Sequence, residues 1–291
     1  MSRHTQGPLT STARLAGLSG IAIAAALVCG CSGSNDPAAT NGSSEGTGRV
    51  GAASGSGKLN IVTTTAMVTD IVTAVAGDRG VVTGLITGNQ DPHMFTAGSN
   101  DVKKMIGADA VFYTGLMLEG RMADDFARVG RKGNLVFPVT EGLDREKLRE
   151  PPEFEGHWDP HVWMDVELWS ECVAHVAKEL GALDAASSDD YVARADEFRK
   201  QLTELDGYIK KVIATIPKEQ RFLVTAHDAF GYFAQAYGIE VKAIQGISTD
   251  SQAAIADINS LVDFIVENKV PAIFVESSVS QKNIEAVIEG C

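Results

Sequence analysis

With 291 residues, 44% of them hydrophobic and 22% charged, the chain has room for two modest domains or one large one and the composition of a globular protein with a proper core. A formal charge of −13 excludes a nucleic-acid binder, which needs a basic face. Acidity of this size suits a handler of cations, although many proteins are acidic for solubility alone.

The N-terminus reads as a targeting segment. Arg3 and Arg14 flank a polar start, and residues 15–30 form an alanine-rich apolar run too short for a comfortable membrane span. The run ends Leu27-Val28-Cys29-Gly30-Cys31, which resembles a bacterial lipobox with Cys31 as the lipidated first residue of the mature chain. Ordinary secretion is the alternative. Residues 1–31 are thus expected to be signal peptide and lipobox. Residues 32–57, nearly all Gly, Ser, Ala, Asn and Thr, are expected to be a flexible tether because they cannot bury enough surface to fold.

From Lys58 the chain alternates strands and helices. Residues 59–65 and 81–87 are β-branched runs separated by a helical stretch, 67–76, that stops at Gly77. Ser99, Asn100 and Asp101 cap a short helix before an apolar strand at 110–114. A helix is expected at 117–129, a strand at 134–139 and a charged loop at 141–157. Asp165 caps a helix that Gly181 should stop. The longest helix, 189–216, carries apolar residues at Tyr191, Ala195, Phe198, Leu202, Leu205, Ile209, Val212 and Ile216, with Gly207 the one residue that weakens it. At about 1.5 Å per residue it spans roughly 40 Å, which suits a rigid connection between lobes. Strands at 221–225, 239–244 and 271–276 then alternate with helices at 230–237, 251–268 and from 280 onward. Such alternation predicts an α/β protein with mostly parallel sheets flanked by helices: one lobe at 58–186, a linker helix at 187–217 and a second lobe at 218–291. The chain stops at Cys291 in mid-helix, which reads as a truncation.

The chemistry lies in the histidines. Asp91-Pro92-His93 and Asp159-Pro160-His161 repeat one tripeptide, in which proline stiffens the turn that presents the ring. His227 follows a predicted strand, as His93 does, and loops beyond strand C-termini line the binding crevice of a parallel sheet. These three converge as candidate metal ligands. His157 is expected to be solvated or to support the site without binding metal, His175 to be structural, and Cys172, on a helix, to be a buried free thiol. Two cysteines as far apart as Cys172 and Cys291 make no disulfide framework. If imidazoles hold a metal, affinity should fall as they protonate, between about pH 7.5 and 5.5.

Several stretches follow one family in order: residues 91–95 (DPHMF), 115–119 (GLMLE), 159–165 (DPHVWMD), 225–232 (TAHDAFGY), 246–250 (GISTD) and 274–279 (FVESSV). From Lys58 to Cys291 the chain resembles the zinc/manganese solute-binding lipoproteins of ABC importers. The resemblance implies two α/β lobes joined by a long helix, a Zn²⁺ or Mn²⁺ cargo, and a membrane permease and ATPase as partners. It implies His93 and His161 as first-lobe ligands and His227 as the third. The family's fourth ligand is an aspartate one helix and one strand beyond residues 274–279, past the last residue here. Without it, binding should be weaker, or should recruit water or Glu276; Asp91 and Asp159 are candidates for supporting or substitute roles. A histidine at 227, where some members carry glutamate, favours zinc; the absence of a histidine-rich tract at 141–157 does not. The other readings are a metal-dependent hydrolase using the same histidines and a surface adhesin of the same fold. No His-Glu-x-x-His helix supports the former.

Overall fold

The computed structural model describes residues 57–250, 254–279 and 282–291. The expected signal peptide and lipobox at 1–31, with Cys31, and all but residue 57 of the expected tether at 32–57 lie outside them.

The first sheet has four parallel strands in the order β2-β1-β3-β4: β1 (Leu59–Thr63), β2 (Gly80–Gly84), β3 (Ala110–Tyr113) and β4 (Leu135–Pro138). Alternate residues of each strand serve opposite faces, as the pleat requires. Ile61, Ala110 and Phe112 pack with helices α1 (Ala66–Ala76) and α4 (Val166–Leu183). Val62 and Val111 pack on the other face with Met105 of α2 (Ser99–Ile106) and Phe126 and Val129 of α3 (Ala123–Gly130). A sheet clothed on both faces explains why its strands read as nearly continuous apolar runs.

Local chemistry sets most of the helix ends. Thr65 caps α1 by accepting from the Val68 amide, and Gly77 ends it with a positive φ. Asp165 caps α4 by accepting from the Glu167 and Leu168 amides. Gly181 does not stop α4, which continues to Leu183. That glycine instead permits close packing, because a Cβ there would lie 2.7 Å from the Ser188 hydroxyl at the start of the next helix.

The long helix α5 (Ser188–Ala214) has 27 residues, about 40 Å. Its first half lies on α1 and α4 and buries Tyr191, Ala195 and Leu202. Farther on, Ile209 and Ile213 face the core while Leu205 and Val212 point outward. The expected stripe therefore holds at Ile209 but not at Leu205 or Val212, and Ile213 faces inward in place of Val212.

The second sheet pairs β5 (Phe222–His227) with β6 (Glu240–Gln245) in parallel. Helices α7 (Ile255–Asn268) and α8 (Lys282–Gly290) pack on one side over Val224, Ala226 and Ile244. On the other side α6 (Gly231–Tyr237) sends Tyr232 and Tyr237 into the same apolar cluster as Trp169 of α4, so the lobes share a packed seam.

Two expected elements differ. Residues 271–276 pair with β5 through one isolated backbone bridge, Phe274 to Thr225, and Phe274 and Val275 stay exposed. Helix α3 begins only at Ala123, because Gly115, Leu116 and Met117 all take positive φ. Glu119 enforces that turn: its buried carboxyl accepts from the Thr64 hydroxyl at 2.6 Å and from the Thr114 and Gly115 amides at 2.8 and 3.3 Å. Burial pushes its pKa up, and the Thr64 and Thr114 hydrogen bonds only partly offset this. In an open parallel sheet the crevice between β1 and β3, where strand order reverses, is the usual ligand site. Here Glu119 bonds the chain ends that leave those two strands.

Candidate metal centre

Three histidines meet instead at the seam between the lobes. His93 lies in the connection after β2, His161 precedes the short 3-10 turn Val162–Met164 that leads into α4, and His227 is the last residue of β5. The sequence placed His227 in a loop after its strand; pairing with Gln245 of β6 extends the strand to include it. All three are buried. The Nε2 of His161 lies 3.2 Å from that of His93 and 3.4 Å from that of His227. For zinc–nitrogen bonds of about 2.0–2.1 Å, a tetrahedron's edge is about 3.3–3.4 Å. Those two edges match such a tetrahedron, and the ligand atoms of all three rings lie within 4.8 Å of one another.

Each of the three histidines is held by a carboxylate. Asp159 is fully buried; its Oδ1 accepts from the backbone amide of His161 at 3.0 Å and pairs with its Nδ1 at 2.8 Å. A carboxylate there keeps the proton on Nδ1 and frees Nε2 as a donor to metal. Asp91 repeats half of this arrangement, accepting from the His93 amide at 2.9 Å. Glu276 accepts from the His227 amide at 3.0 Å, and its Oε2 lies 2.5 Å from His227 Nδ1. Asp91, Asp159 and Glu276 therefore support the three histidines, which among the described residues form the cluster of possible ligand atoms.

Sequence reasoning missed the corner behind Asp159. Arg149 Nη1 donates to Asp159 Oδ2 at 2.6 Å, and the Asp159 amide donates to the Arg149 carbonyl at 2.8 Å. The Tyr232 hydroxyl accepts from the Arg149 amide and donates to the Asp159 carbonyl, each at 3.0 Å. Tyr232 comes from the second lobe, so the corner also ties the lobes together. Only a glycine fits at 231: a Cβ there would sit 1.2 Å from Arg149 Nη1. Gly231→Ala is expected to push the guanidinium off Asp159 and cost about 2 kcal/mol, within the range for overpacking; the urea midpoint of the metal-free protein measures it.

Burial sets the protonation of the rings. Desolvation, with the charges of His161 and His227, lowers the His93 pKa to about 3. Desolvation also lowers His161, against the opposing pull of Asp159. At Glu276, burial works upward but is outweighed by the hydrogen bonds and charge of His227, and the carboxyl ends below its ordinary value. Proton competition at His93 therefore moves below the pH 7.5–5.5 window expected from free imidazole, and burial shifts His161 in the same direction.

Stability follows with a definite sign. An unfolded His93 takes its proton near 6.5, whereas the folded one resists until about 3. Across that window an unfolded His93 binds more protons than the folded one, so its contribution to the stability of the metal-free protein is fully present above pH 6.5 and is lost as pH falls toward 3. His93→Gln should flatten that decline, as read from urea midpoints across the window.

The other described histidines and cysteines stand outside the cluster. His157 is exposed, and His175 lies against Gly142 and 3.8 Å from Glu179. Cys172 is a buried free thiol whose pKa burial raises, and Cys291 is exposed.

Fold and site together define a two-lobed α/β solute-binding protein with a buried histidine cluster at its seam. The chain belongs to the family described as zinc-uptake complex component A, periplasmic, which matches residues 61–291. It is 42% identical over 231 residues to the zinc-binding protein TroA of Treponema pallidum, covering 79% of this chain and 74% of that protein. It is 40% identical over 234 residues to the manganese-binding lipoprotein MntA of Bacillus subtilis, covering 80% and 76%. The solved structure of the periplasmic zinc-binding protein TroA from Treponema pallidum superposes with a TM-score of 0.77 at 40% identity, covering 80% of this chain and 83% of that one.

Proposed function

We propose that this protein captures a divalent transition metal outside the cytoplasmic membrane through His93, His161 and His227, and delivers it to the permease of an ABC importer driven by a cytosolic ATPase. Zinc is the better-matched cargo. The observation that carries this reading is the spacing of the three Nε2 atoms, 3.2 and 3.4 Å along two edges, which fits tetrahedral zinc with nitrogen donors. A manganese site would be expected to offer more oxygen. The relatives divide, one carrying zinc in its name and another manganese. Binding strength alone does not choose between them, since zinc outcompetes manganese at most nitrogen sites.

In this reading residues 58–186 form the first lobe, 187–217 the connecting helix and 218–291 the second lobe. Lipid on Cys31 and the tether at 32–57 hold the binding lobes near the membrane. Capture and hand-over are a binding cycle, with no covalent step required of the protein. The test is uptake: a deletion strain starved of metal should regain growth and accumulate zinc when the wild-type gene is restored. Restoration selective for manganese would assign that ion as cargo, and no rescue by either metal would overturn the transport reading.

A further inference from the structure

One family-like stretch plays no part in the site as described so far. Residues 246–250 (GISTD) follow β6 in the second lobe, and two of their side chains reach back to the first. The Thr249 hydroxyl donates to Asp91 Oδ2 at 2.6 Å, while the other oxygen of the same carboxylate accepts from the His93 amide. Beside it, Arg121 Nη2 donates to Asp250 Oδ1 at 2.7 Å. The second is an ion pair between largely exposed groups, worth little on its own. The first is different because it ends on the carboxylate that fixes the His93 turn.

We infer that Thr249 is a positioning residue through which the second lobe holds His93 in register with His161 and His227. The inference rests on the metal-binding reading above. The chain of contacts is direct: Thr249 orients Asp91, and Asp91 orients the backbone that presents the His93 ring. A hydroxyl–carboxylate bond of 2.6 Å is lost once its atoms part beyond about 3.5 Å, so roughly 1 Å of outward movement by the 246–250 segment releases Asp91. His161 is fixed differently, by Asp159 and Arg149, and its bracing does not depend on residues 246–250. Metal release would therefore begin at His93, with His161 still in place.

The experiment uses the full chain loaded with zinc, with stoichiometry from elemental analysis and the rate of zinc transfer to a chelator from stopped-flow absorbance. Thr249→Val keeps the shape and removes the hydroxyl, and Thr249→Ser keeps the hydroxyl. The valine variant should still hold one zinc per chain but release it about 10-fold faster, the low end for loss of a group supporting a ligand. The serine variant should release at the wild-type rate, which a purely packing role for the threonine methyl would not produce. Arg121→Met should change the rate less than Thr249→Val does. Zinc-loaded Thr249→Val with wild-type release, or serine as fast as valine, overturns this inference alone. A wild-type chain that retains no zinc overturns the metal reading and the inference with it.

Discussion

His93→Ala combined with His161→Ala should abolish zinc retention: after exhaustive dialysis, elemental analysis should find essentially no zinc in the variant. His161 is the hinge of the cluster, since its Nε2 lies within 3.4 Å of both other Nε2 atoms. Removing it leaves two nitrogens with nothing between them. Changing a group that merely supports a ligand costs about 10–100-fold in affinity, so losing a ligand outright should cost more than about 100-fold, and losing two should leave no specific site. The fold should survive, because alanine also relieves the crowding of buried rings whose pKa values burial has pushed down. Near-native helical circular dichroism together with lost zinc would be the expected pair of results; unchanged stoichiometry would remove these residues as ligands.

Asp159→Ala should be the most damaging change that touches no ligand. The carboxylate accepts from the amide and the ring of His161 and from the Arg149 guanidinium, and it is inaccessible to water. Its removal leaves Arg149 without its buried partner and frees His161 to turn. Breaking a buried pair on one side costs about 3–5 kcal/mol, and the lower end applies because Arg149 keeps 26% of its side-chain surface exposed. Zinc affinity should fall by about 10–100-fold through the lost orientation of His161. Asp159→Asn retains oxygen and nitrogen in the same place and should show a smaller loss of both. Urea unfolding of the metal-free forms and zinc competition with a chelator measure the two effects separately. An Asp159→Ala protein with wild-type stability would show that the Arg149 corner contributes nothing net to folding.

Much of this architecture was legible in residue order, for local reasons. The capping carboxylate of Asp165 and the stop at Gly77 are short-range chemistry, and α4 begins and α1 ends where those residues direct. The histidine cluster was legible because the same Asp-Pro-His turn occurs twice and because His227 stands at the end of a strand. Its supporting carboxylates were legible as candidates but not in their roles, since a carboxylate near a histidine reads equally as ligand or brace until distances separate the two.

What escaped depends on residues far apart in the chain. Arg149 lies in a segment that reads as a charged loop, and nothing in its own neighbourhood points to Tyr232, 83 positions later. Thr249 lies 158 positions from Asp91. Gly231 was the one available signal: a glycine opening a helix between two aromatic residues marks a close approach, although not by what. The misread elements have the same origin. Residues 271–276 have the β-branched and aromatic character of a strand, but strand formation needs paired neighbours, and here one amide, Phe274, reaches Val224. The 117–129 segment has apolar spacing suited to a helix, yet the buried Glu119 carboxyl claims the amides of Thr114 and Gly115 and holds the chain in a turn until Gly120.

The central claim, that His93, His161 and His227 jointly hold the metal, is tested most directly by X-ray absorption spectroscopy of the zinc-loaded full chain at neutral pH. The account predicts three imidazole nitrogens at about 2.0–2.1 Å in a four-coordinate shell, falling to one in the His93→Ala/His161→Ala double variant if any zinc is forced to bind. A shell with fewer than two imidazoles in the wild-type protein, or one unchanged by the double substitution, would contradict it.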